Sequence, residues 1–115
     1  MRIEISGRNV EVTEELREHV HKRFARIGRQ VSDLARLEVE LMEERNPSIR
    51  DSQIAEARLH LKGAVLVARE SSPEMVGAIK AVSLDMRRQV KRNRELRRRR
   101  WQQRRSAARL RKRAA

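Results

Sequence analysis

In the opening stretch "RIEISG", Ile3 and Ile5 alternate with Arg2 and Glu4. That two-residue period predicts a strand with one buried face. The period then lengthens. Leu16, Val20, Phe24, Ile27 and Val31 recur at intervals of three and four, which at about 100° per residue puts them on one stripe of a helix from Thr13 to Ser32. Thr13 is suited to cap that helix, and Glu14 and Glu15 follow where its positive end favours acids. In "RLEVELME" the alternation returns: Leu37, Val39 and Leu41 fall on one face and Glu38, Glu40 and Met42 on the other, giving a second strand with an acidic outer face. "RNPSIRDS" breaks the pattern at Asn46, Pro47, Ser48 and Asp51 and reads as a mobile loop. "IAEARLHLKGAVLVARE" then supplies two strands of a hairpin turning at Lys62-Gly63, where Gly63 takes a positive φ.

A second helix follows, with Ser72 as N-cap, Pro73 in the first helical position and Glu74 in the first turn. Its apolar stripe is Val76, Ile79, Ser83, Met86 and Val90. The order is β-α-β-β-β-α, an α+β fold. One core takes in both stripes only if the two helices lie on one face of a four-stranded sheet. With 115 residues there is room for a single domain, and with Phe24 and Trp101 as the sole aromatics its core is aliphatic. Residues 1–94 form the domain, and 95–115 a basic tail that is an extended helix or disordered.

Charge changes the picture. Of the net +13, residues 87–115 hold 15 Lys/Arg against the single acid Glu95, leaving a nearly neutral body. Such asymmetry points to a polyanionic partner. On the first helix Lys22, Arg26 and Arg29 form an exposed ridge. On the second, Arg88 and Arg92 point away from the core, while Lys80, Arg87, Lys91, Arg94 and Arg98 flank the apolar stripe. The arginine run therefore extends a surface that already begins within the domain. Leu96 and Leu110 lie off the apolar stripe, so the tail is expected to be ordered by its partner. Arginine forks phosphate and stacks on bases. Trp101 is placed to stack on a nucleobase or, equally, to fold back on the domain's edge.

Other chemistry is not encoded. There is no cysteine, no phosphate-binding glycine loop and no dinucleotide fingerprint. His19 and His21 diverge by about 200° on a helix and cannot share a metal. No catalytic residue, metal site, cofactor or small-molecule substrate is expected. Without a signal-like apolar start or a run of about 18 apolar residues, the chain reads as soluble and cytoplasmic, with no membrane partner.

Three stretches carry a family resemblance: "ISGRNVEVTEELREHVHKRFARI", with its GRN-x-E-x-T turn and HV-x-KR; "AEARLHLKG"; and "EMVGAIKAVSLDMRRQVKR". Across residues 1–94 the chain resembles the ribosome hibernation promoting factors, also called ribosome-associated translation inhibitors or sigma-54 modulation proteins. The resemblance implies the same fold, binding to the small ribosomal subunit and its rRNA in the channel for messenger and transfer RNA, and translation silenced by occupancy. It also adds Arg23 to the contact residues, alongside Lys22, Arg26, Arg29, Arg87, Arg88, Lys91 and Arg92. Long members append a dimerisation domain, whereas this chain ends in basic residues, so that domain is not expected. The alternatives are a general double-stranded RNA or DNA binder, and a structural module whose tail grips an acidic partner or membrane.

Overall fold

The computed structural model describes residues 1–46 and 48–114, so the expectation for Pro47 lies outside the described residues. The elements are β1 (Arg2–Arg8), α1 (Glu14–Gln30), β2 (Arg36–Glu43), β3 (Gln53–Leu61), β4 (Ala64–Ser72) and α2 (Met75–Ala114). The sheet runs β1-β2-β3-β4 in space. β1 and β2 are parallel, which requires a crossover, and α1 provides it. The remaining pairs are antiparallel, with Leu61 opposite Ala64 across the Lys62-Gly63 turn. Gly63 there has φ +78°, a backbone region that costs any other residue energy.

The core is a single cluster between the sheet's inner face and both helices. α1 contributes Val20, Phe24 and Ile27; the sheet contributes Leu37, Val39, Leu41, Ala55, Ala57, Leu59 and Ala68; α2 contributes Ala78, Ile79, Val82, Met86 and Val90. Burying a side chain such as Phe24 contributes about 1.5–3 kcal/mol. The buried Ser83 hydroxyl donates to the Lys80 carbonyl at 2.7 Å, so it enters the core satisfied.

The GRN turn has a physical basis. A Cβ on Gly7 would lie 2.4 Å from the Val10 carbonyl oxygen, so the chain folds back over a position that only glycine fills. Asn9 takes φ 59°, and its side-chain oxygen accepts from the Arg45 guanidinium at 2.8 Å. Thr13 then caps α1 as expected, accepting from the Leu16 amide at 3.2 Å.

Several sequence expectations shift. α1 ends at Gln30, not Ser32, because the Ser32 hydroxyl accepts from the Leu34 amide and its carbonyl accepts from Ala35, turning the chain into β2. Met42, on the outer side of β2, is buried, for it pairs with Ile54 across the ladder. α2 starts later than Pro73: Ser72 is still paired with Gln53, and the first helical bond runs from the Ala78 amide to the Glu74 carbonyl. The Ser72 hydroxyl accepts instead from the Glu74 amide. Val76 is only half-buried, and Val82 takes its place in the stripe.

Beyond Val90 the helix leaves the sheet. The Arg97 guanidinium donates to the Lys62 carbonyl, tying α2 to the hairpin tip. From Arg94 to Arg113 every residue is exposed, yet the helix runs unbroken to Ala114. The extents are therefore 68 × 29 × 17 Å with a radius of gyration of 18.4 Å, against about 13 Å for a compact chain of this length.

Candidate nucleic-acid interface

The sheet's outer face and the helices' outer faces treat charge differently. On the sheet, Glu56 pairs with Arg58 at 3.1 Å and Arg69 at 3.2 Å, and Glu38 with Arg36 at 3.1 Å and His60 at 2.8 Å. Arg2 and Arg8 likewise lie beside Glu4 and Glu40. Each arginine on this face already has a carboxylate beside it. Among the described residues, the remaining ion pairs join Arg17 to Glu14 and His19 to Glu15 near the start of α1.

Between the helices the balance is reversed. A groove of about 520 Å³ is lined by Arg26 and Gln30 of α1 and by Leu84, Arg87, Arg88, Lys91 and Arg94 of α2. None of these five cations is in an ion pair among the described residues. Two unit charges about 8 Å apart in water repel by about 0.5 kcal/mol, and an anion laid in the groove relieves that repulsion for all five at once. Arg87 is half-buried, a state that a long arginine stem tolerates while its guanidinium stays in water. Along α2 the lining from Leu84 to Arg94 spans about 15 Å.

Around this groove the other candidates fall into place by helical spacing. Arg23 is exposed one turn before Arg26, on the flank of α1 that Gln30 also occupies. Lys22 and Arg29 are exposed on the outward side of α1, and Arg92 one turn past Arg88. Lys80 and Arg98 are exposed and continue the α2 flank by one turn at either end. None of these six lines the groove itself.

Trp101 does not join them. It lies in a second cleft, with Lys62, Gly63 and Ala64 of the hairpin and Asn93, Leu96, Arg97, Arg100 and Arg104 of α2. The arginine run thus lines two clefts, where the sequence reading expected one surface. Sequence reasoning missed Lys62, Arg97, Arg100 and Arg104, whose meeting depends on the hairpin tip reaching a helix more than 30 residues away. Among the described residues there is no cluster of three His, Asp or Glu able to hold a metal ion, and no helix is long and apolar enough to cross a membrane.

Residues 3–98 match the model of the family described as Sigma 54 modulation protein / S30EA ribosomal protein. The chain is 35% identical over 91 residues to the ribosome hibernation promotion factor of Deinococcus radiodurans, spanning 76% of this chain and 46% of that protein. It is 32% identical over 95 residues to the ribosome hibernation promoting factor of Pseudomonas putida, spanning 83% and 88%. Among solved structures, the N-terminal domain of Thermus thermophilus Protein Y aligns with a TM-score of 0.68 at 28% identity, over 80% of this chain and 98% of that one. A ribosomal subunit interface protein from Coxiella burnetii aligns at 0.69 with 18% identity, over 83% and 99%, a likeness of fold.

Proposed function

The chain belongs to the sigma 54 modulation protein / S30EA ribosomal protein family, and from that premise we propose that it is a ribosome-associated factor that silences translation by occupying the small ribosomal subunit. The observation that carries this reading is the groove between α1 and α2, five cations without carboxylate partners among the described residues. Ribosomal RNA offers a matching row of phosphates, and guanidinium forks bind them bidentately. Arg26, Arg87, Arg88, Lys91 and Arg94 make the central contacts. Lys22, Arg23, Arg29 and Arg92 widen the surface, and Lys80 and Arg98 lengthen it. Residues 1–94 form the binding body, and the part from 95 onward is an added basic arm.

The likeness to the ribosome hibernation factors of D. radiodurans and P. putida supports ribosome hibernation as the setting. The action follows from occupancy of the channel for messenger and transfer RNA. It needs no cofactor and no bond-making step, and it places the protein with ribosomes in the cytoplasm.

Sedimentation of the full chain with purified ribosomes through a sucrose gradient tests the proposal. The expected result is comigration with small subunits and intact ribosomes, together with inhibition of a cell-free translation mixture. Residence only in ribosome-free fractions overturns it. Equal competition by bulk duplex RNA would instead identify a general duplex binder.

A further inference from the structure

We infer that the cleft between the β3–β4 turn and the projecting part of α2 is a second nucleic-acid site, built to take an unpaired nucleotide with its base on Trp101 and its phosphate among the surrounding cations. The inference deepens the proposed function and rests on the chain being an RNA binder. The cleft measures about 570 Å³, within the range of roughly 300–1,000 Å³ common for sites that hold small organic groups. One wall is the hairpin tip, where Gly63 and Ala64 add little bulk and leave the opening wide. The other wall is α2, which places Arg97, Arg100 and Arg104 around the indole. The bond from Arg97 to the Lys62 carbonyl holds the two walls together.

Trp101 is 56% exposed, an unusual state for the chain's one tryptophan. The Arg105 guanidinium lies 4.7 Å from the ring centroid, a cation–π contact that fixes the ring. Arg105 does not line the cleft while Trp101 does, and more than half of the tryptophan's surface remains open to a ligand. An aromatic face takes a base only when that base is out of its own stack, so the partner is single-stranded or a flipped-out nucleotide rather than a continuous duplex.

The site is independent of the inter-helical groove. The two share no lining residue. Lys91 of the groove and Arg100 of the cleft are nine residues apart, and nine steps of about 100° put them on opposite sides of the helix. Trp101 also lies outside residues 3–98, the part that the family model matches. The hairpin wall and the Asn93, Leu96 and Arg97 part of the helix wall lie inside that match, and Arg100, Trp101 and Arg104 lie beyond it.

Because the chain has one tryptophan and no tyrosine, its emission reports on Trp101 alone. The test titrates the full chain with an oligouridylate of about ten nucleotides and with a blunt RNA duplex of equal length, following emission and, in parallel, the anisotropy of labelled RNA. Oligouridylate is expected to quench the emission as it binds, and the duplex to bind without quenching. Trp101→Leu should weaken oligouridylate binding by about 5- to 150-fold, the span that base stacking supports, and weaken duplex binding far less. Trp101→Phe should restore most of the single-strand affinity. Equal quenching by both RNAs, or a Trp101→Leu chain that binds oligouridylate as the wild type does, overturns the inference. A wild-type chain that fails to comigrate with ribosomes overturns the proposed function instead, and the quenching comparison still decides the cleft.

Discussion

Replacing Arg26, Arg88 and Lys91 together by alanine removes three of the five cations that line the inter-helical groove. Each neutralised phosphate contributes about 0.7 to 0.9 to the slope of log affinity against log salt, the lower figure for single strands. The triple variant should therefore flatten that slope by about 2.1 to 2.7, whatever the arm contributes. Between 50 and 200 mM salt, a fourfold change, the wild type should lose about 18- to 42-fold more affinity than the variant. The measurement is binding to purified small subunits across a potassium chloride series, by sedimentation or labelled-protein anisotropy. All three residues are exposed, and replacing crowded like charges by alanine should leave the melting temperature unchanged or raised. Arg69→Ala is the matched control: its guanidinium is already held 3.2 Å from Glu56, so its loss should not change the slope. Parallel lines for the wild type and the triple variant would refute the assignment of phosphate binding to this groove.

Two further outcomes test the fold. Gly7→Ala puts a Cβ 2.4 Å from the Val10 carbonyl oxygen, a backbone atom that cannot swing aside. The destabilisation should be about 1–3 kcal/mol in urea unfolding, and an unchanged midpoint would disprove the close approach. A chain ending at Arg97 keeps the tie to Lys62 and loses a stretch that is exposed throughout from residue 98 to 113, so it should melt at the same temperature or higher while binding RNA less tightly. A fall of more than about 5 °C, roughly 1 kcal/mol for a domain of this size, would show that the arm supports the body.

The element order was legible because each period is strong. Ile3 and Ile5, then Leu16 through Val31, leave little choice of structure, and the helical angle alone put Arg26 and Arg88 on outer faces and Lys91 on the flank of the apolar stripe. The misplaced details have tertiary causes. Met42 reads as outward-facing and is outward-facing, yet it is buried where it stands between Arg8 and Ile54 of the neighbouring strands. Ser72 has the chemistry of a cap, but the ladder with Gln53 holds it in the sheet. Sequence singled out Trp101 without its neighbours, since the Lys62 turn and the Arg97 turn meet only once the hairpin is folded. Likewise, nothing in local sequence shows that the sheet's arginines are matched by Glu38 and Glu56 while those between the helices are not.

After Gly77 the chain has neither glycine nor proline, so α2 has no inbuilt hinge between the domain and the arm's tip. Rotation is thereby transmitted like torque along a shaft: however the body seats, the clocking of the distal arginines is already decided. One residue inserted after Arg98 would advance them by about 1.5 Å but swing them through about 100°. The number of residues between body and arm therefore fixes the angular phase at which the charges arrive.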